Sequence, residues 1–313
     1  MKGFGRGRRG KLWALTLVGV GAMAVGMVSV FVATAGGHSS TASTARRAGG
    51  SGPRRSNTIE GHLLYAERTK DVPAPPDSPS GRTTALVACP AGHRHVTGGG
   101  IFTSGGSLPV DVETGSTAPS GGGAWLGEAN NDTEETASMT VTAICKKHGK
   151  FRYPDTHKAN PGGGQILKGV NCPPGTKLTG GGVETNGDHS VEVASTEPAD
   201  GPDKNSKRDD RWIGAANSGG MTVTAVCAKT GTAGIYRYTK SNRKDLPKNE
   251  IATAIANCPS GTHVTGGGVD VTGIDEDLEV KSSSPAETGG WLGTAINTSD
   301  QDEKVQAFAI CKQ

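Results

Sequence analysis

Three glutamates, three tryptophans and three asparagines recur along this chain, and each set suggests a chemistry. Glu113, Glu192 and Glu279 hold the same place in "VETGS" (112–116), "VEVAS" (191–195) and "LEVKS" (278–282). A repeated carboxylate suits acid/base work or ligand binding, but a two-carboxylate mechanism needs a second acid at a fixed distance, and the sequence fixes none. Flanked by apolar strand neighbours, the three are expected on a solvated outer face. Trp125, Trp212 and Trp291, with Asn130, Asn217 and Asn297 downstream, could form sugar sites from a ring and an amide. The commoner role of one tryptophan per unit is the core, and of such an asparagine a turn. His93 and His95 alternate on a strand and could share a metal. The second copy has Lys177 at the place of His95 and the third has His263, so no metal site is common to all copies. No Gly-x-Ser-x-Gly and no nucleophile–base pair is legible, so no catalytic residue, metal or cofactor is assigned.

The cysteines carry the strongest signal. Cys89/Cys145, Cys172/Cys227 and Cys258/Cys311 fall two per copy. Six cysteines allow 15 connectivities in the abstract, and the repetition favours bridges inside each copy. A bridge closing a loop of about 55 residues stabilises by roughly 4 kcal/mol in the chain-entropy model, comparable to the whole net stability of a small module. Metal ligation is the weaker rival, because no Cys-x-x-Cys is present. Each first cysteine opens a near copy of one phrase: "CPAGHRHVTGGG" (89–100), "CPPGTKLTGGG" (172–182) and "CPSGTHVTGGG" (258–268). The triple glycines, Gly98, Gly99 and Gly100, then Gly180, Gly181 and Gly182, then Gly266, Gly267 and Gly268, lack the Gly-Lys-Ser/Thr and the following helix of a phosphate cradle. Inside a β pattern they point to a bend or a close backbone approach, each strand passing over its copy's tryptophan.

The elements that must position these residues are strands. "MTVTAIC" puts Met139, Val141, Ala143 and Cys145 on one face by period-two alternation, and the equivalent tracts place Cys227 and Cys311 likewise. "ALVAC" (85–89), "ILKGVNC" (166–172) and "IATAIANC" (251–258) read as strands stopped by the proline that follows the cysteine. A tyrosine-bearing run precedes each core at 62–69, 150–157 and 234–241 and is taken as an edge or linker strand. The expected fold is all-β: three tandem, disulfide-stapled antiparallel β-sandwich-like modules over 61–148, 149–230 and 231–313, or alternatively one pseudo-threefold β body. The joints at 146–165 and 228–250 suggest interdomain freedom.

The N-terminus stands apart. Lys2, Arg6, Arg8, Arg9 and Lys11 precede an apolar run from Leu12 to Ala35, the pattern of a secretory signal over 1–35, with an uncleaved membrane anchor as the alternative. Residues 36–60 are small, polar and basic, a flexible tether. The chain has 33 Lys+Arg and 30 Asp+Glu; the first 35 residues hold five of those bases and no acid, leaving 28 against 30. The net positive charge thus belongs to the signal and gives no argument for nucleic-acid binding. With 49 glycines and 4% aromatic residues, the cores should be thin.

Taken together, Cys-Pro-x-Gly, Gly-Gly-Gly, Ser-x-x-Pro, the Trp and Asn pair and the terminal strand cysteine resemble a module of secreted actinobacterial proteins across residues 83–313. The resemblance implies a secreted β module and names no activity. The functional expectation is a secreted, non-catalytic binding or structural protein of the cell exterior, its three similar faces acting multivalently on a cell-envelope glycan or another secreted protein. A secreted hydrolase or protease inhibitor is the alternative.

Overall fold

A computed structural model describes residues 58–60, 62–74, 82–104, 112–159, 163–186, 191–202, 207–229, 234–273 and 277–313. The expected signal, and the tether up to residue 57, lie outside the described residues. Everything assigned is strand or turn. The first copy holds β1 (Thr58–Glu60), β2 (Leu63–Val72), β3 (Arg82–Ala88), β4 (His95–Ser104), β5 (Val112–Ser120), β6 (Ala124–Asn131) and β7 (Ala137–Lys146). The second holds β8 (Phe151–Arg152), β9 (Asp155–Lys158), β10 (Ile166–Asn171), β11 (Thr176–Thr185), β12 (Val193–Ala199), β13 (Arg211–Ala216) and β14 (Met221–Lys229). The third holds β15 (Tyr236–Lys240), β16 (Lys244–Leu246), β17 (Glu250–Asn257), β18 (His263–Thr272), β19 (Leu278–Ala286), β20 (Gly290–Asn297) and β21 (Glu303–Lys312).

Each copy is a small two-layered sandwich. In the first, the layer β3-β6-β5 packs on β4, β7 and β2 around Trp125, with Ile101, Met139 and Val141 beside it. Trp212 and Trp291 centre the equivalent cores of the other two copies, which are continuous with each other. The three bridges run within copies, Cys89–Cys145, Cys172–Cys227 and Cys258–Cys311, and tie the end of one layer to the end of the other.

The copies are nevertheless not independent, because every sheet is shared. The three sheets run β1-β2-β7-β4-β19-β20-β17, β3-β6-β5-β11-β14-β8 and β10-β13-β12-β18-β21-β15. Half of each sheet comes from one copy and half from the next, and the third copy closes back onto the first. The sandwich and the pseudo-threefold body are therefore two descriptions of one object. The freedom expected at the joints is absent from the described residues: β8 and β9 are both paired to β14, and β15 and β16 to β21.

Three kinds of contact make the junctions. Each sheet crosses from copy to copy through one bridge, Ser283 to Ile101, Thr117 to Val183 and Thr196 to Val269. The indole Nε1 groups of Trp291, Trp125 and Trp212 donate to the side-chain oxygens of those same Ser283, Thr117 and Thr196, each at 3.0 Å. Near the pseudo-axis, Thr97 donates to the Thr265 carbonyl at 3.2 Å and Thr179 to the Thr97 carbonyl at 2.9 Å. The tyrosine-bearing strands complete the ring: Tyr153 donates to Val96 O at 3.0 Å, Tyr238 to Leu178 O at 2.7 Å and Tyr65 to Val264 O at 2.7 Å. Each tyrosine thus locks its own copy onto the strand that leads into another copy's glycines.

Those glycines divide the work. A methyl at Gly98, Gly180 or Gly266 would overlap the Thr-Gly backbone of a neighbouring copy, and one at Gly100, Gly182 or Gly268 the strand across the sheet junction. At Gly99, Gly181 and Gly267 it would enter the indole of the copy's own tryptophan. None of the nine has positive φ, so closeness of approach rather than backbone torsion requires glycine here.

Candidate functional site

The tryptophans are fully buried, with their nitrogens bonded internally, so no ring face is open to a sugar. The asparagines are internal too, and they fall into two classes. Asn130 and Asn217 both donate through Nδ2 to the carboxylate of Glu192, Asn130 at 2.9 Å. Asn297 instead donates to Leu246 O at 3.0 Å and Gln301 O at 2.7 Å, as Asn131 does to Val72 O at 2.7 Å and Glu135 O at 2.9 Å. The counterpart of Asn297 is therefore Asn131, and Ile296 stands where the other copies have Asn130 and Asn217. Asn131 and Asn297 also begin Asn-Asp-Thr (131–133) and Asn-Thr-Ser (297–299), which fit the glycosylation-acceptor pattern; both asparagines are fully buried, so the folded chain offers neither amide for modification.

The glutamates depart most from expectation. Glu113 and Glu192 are buried, Glu279 is half-buried, and the three meet where the copies converge rather than facing solvent. The alternation that placed them outside was read correctly, but the outer face of each strand end is covered by the next copy. Glu113 shares a side-chain hydrogen bond with Glu279, and burial, reinforced by the Glu279 and Glu192 charges, pushes its carboxyl up to about 10. Glu113 is thus the protonated donor and Glu279 the acceptor. Burial, then the Glu192 charge, raises Glu279 to about 7. Burial also raises Glu192, against the lowering effect of its bonds from Asn217 and Asn130 and of Arg82.

Two cations balance the remaining charge. Lys281, 4% exposed, occupies the bulge of β19 and lowers both Glu113 and Glu279. Arg82 donates to Asn130 Oδ1 at 3.2 Å, Thr185 Oγ1 at 2.9 Å and Val191 O at 2.8 Å. Two carboxyls in direct hydrogen bond stand too close to hold a glycosidic bond between them, since retaining enzymes need about 5 Å or more. The arrangement can store a proton and join three copies; it is not built to flank a substrate.

At the other end of the central strands lies an open site of opposite charge. Lys146 closes β7, opposite His95 of β4, whereas Ser138, near the start of β7, is opposite Ser104. The carboxyl centre belongs to that second end, since Thr103 Oγ1 donates to the Lys281 carbonyl at 2.9 Å. Eight residues of strand separate the two ends, about 27 Å at the usual rise. At the lysine end a cavity of about 640 Å³ is lined by Lys146, Lys147, Lys150 and Lys312, together with three histidines. The histidines are His62, His93 and His148, and among the described residues no acidic one lines the cavity. Burial and the neighbouring Lys312 lower Lys146 to about 8.

His93 thus joins a basic cavity, while His95 packs against the Phe151 ring at 5.5 Å between centroids. No group of three or more metal-ligating side chains occurs among the described residues. Sequence reasoning missed the lysine cavity because its parts come from four separate segments; the one available signal was the pair of lysines that follow the last cysteine of copies one and three. No family model and no curated protein matches this sequence.

Proposed function

We propose that the chain is an exported, non-catalytic binding protein of the cell exterior, related to the secreted modules its repeat resembles. The observation that carries this reading is the division between shared and unshared residues. Cysteines, triple glycines, tryptophans, tyrosines and glutamates common to the copies are consumed in building one interlocked body. What remains on the surface differs from copy to copy, and a rigid frame displaying dissimilar loops is the usual design of a recognition protein. Three disulfides in one chain fit an oxidising compartment. Among the described residues no helix is long and apolar enough to cross a membrane.

The interlocking changes how multivalency would work. Faces fixed on one body act together only on a ligand whose spacing matches theirs, and a polymer such as a cell-envelope glycan meets that condition more readily than a compact protein. The test is retention of the oxidised full chain on insoluble cell wall, chitin and cellulose, and capture of secreted proteins in parallel. Saturable retention on one of the polymers is expected. Absence of retention on all of them, with no secreted partner captured, overturns the reading.

A further inference from the structure

We infer that the lysine-lined cavity is a binding site for a cell-envelope polymer of polyols joined by phosphodiester groups, resting on the reading of the chain as a binding protein of the cell exterior. The geometry argues first. Four lysines and three histidines from the segment before β2, the loop before β4, the joint between β7 and β8 and the end of β21 converge on one space. Among the described residues no acid lines it, whereas other cations of the body have acid partners: Lys177 is paired to Asp209 at 2.6 Å and His263 to Glu60 at 3.5 Å. The cations facing the cavity are left to an occupant.

The repeat sharpens the point. Lys146, Ala228 and Lys312 directly follow the last cysteine of their copies, so the body needs no lysine there, and Ala228 fills the position as a buried residue. Two copies nevertheless place ammonium groups side by side, one of them on a lysine that is 8% exposed as a residue. Like charges held together without a counter-charge oppose folding, and a bound anion reverses the sign of that interaction. The ligand class follows from the donors. Lysine is a compact point charge with rotatable donors that suits tetrahedral phosphate oxygens without needing the planar fork of arginine, and among the described residues no arginine lines this cavity. Its openness along several lysines favours successive phosphates on a chain over one isolated anion.

The experiment is equilibrium binding of the oxidised full chain to a glycerol-phosphate polymer at rising salt, beside polygalacturonate and single-stranded DNA of equal charge. The polymer is expected to bind with affinity falling steeply with salt, at a slope of about three phosphates. K146Q/K147Q/K312Q should weaken it at least tenfold and flatten the slope, while K244Q/K304Q, remote from the cavity, leaves it unchanged. Should the triple variant misfold, K147Q/K150Q, which changes only exposed lysines, should still weaken binding severalfold. Lack of polymer binding at low salt, equal loss in the remote variant, or equal or tighter binding of polygalacturonate or DNA overturns the inference. Retention on cell wall without phosphate-polymer binding sinks this inference alone; loss of both sinks the binding reading as well.

Discussion

The two ends of the central strands set like charges against one another in opposite ways. At the carboxyl end, all three copies contribute the same residue, the cluster is sealed, and Lys281 and Arg82 are built in to balance it. At the lysine end the copies contribute unlike residues, most of them from the first, the cluster is open, and among the described residues no acid lines the cavity. A sealed cluster must satisfy itself, since an uncompensated buried charge costs several kcal/mol. An open one can leave its compensation to a ligand. The difference separates residues that hold the body together from residues that are available for recognition, and the two ends should titrate in opposite senses.

The largest effect is expected from removing the built-in counter-charge. K281A removes the buried cation that lowers Glu113 and Glu279, leaving Arg82 as the remaining counter-charge of the cluster, and should cost about 3 kcal/mol at pH 8. For a body of this size that lowers Tm by roughly 6–12 °C. The loss should shrink at pH 5, where the carboxyls take up protons in place of the lysine. A thermal melt at both pH values checks this, and an equal loss at both would place the role of Lys281 in packing alone.

E113Q is next. Because the folded protein holds the Glu113 proton up to about 10, against 4.5 as its ordinary value, its contribution is fully present below about pH 4.5 and is lost as pH rises through 10. The wild type should therefore lose stability on going from pH 6 to pH 10. Glutamine keeps a donor for Glu279 but has no proton to lose, so E113Q should match the wild type near pH 5 and exceed it by about 1–2 kcal/mol at pH 10. Denaturant titrations across that range measure it, and parallel curves for the two proteins would refute the protonated donor.

The contrast also explains which parts could be read from sequence. Cysteines, strand-ending prolines and period-two tracts act locally or at fixed repeat spacing, and they led to the bridges, the strands and the passage of Gly99 over Trp125. The sheet exchange was not legible, because bridges such as Thr117 to Val183 join residues that no local pattern relates. The same exchange buried Glu113 and Glu192. Alternation tells which face a side chain occupies, and only the packing of copies tells whether that face meets water. Asn297 was matched to Asn130 rather than Asn131 for a related reason: adjacent asparagines at 130 and 131 leave the register open until their partners are known.

The smallest effect, and the one that bears most directly on recognition, belongs to Lys146. Burial and Lys312 lower it to about 8 from 10.5, so its charged form is disfavoured in the folded state. The resulting penalty is fully present below about pH 8 and disappears as pH rises toward 10.5, the reverse of the Glu113 case. K146Q should accordingly stabilise by about 1 kcal/mol at pH 7, a rise in Tm of roughly 2–4 °C, with the gain vanishing near pH 10.5. The same substitution should weaken binding of the glycerol-phosphate polymer. Stability gained together with affinity lost would mark a residue retained for its ligand, because a structural lysine would lose stability on replacement. A fall in Tm at pH 7 would show instead that Lys146 serves the body, and would remove the distinction drawn between the two ends.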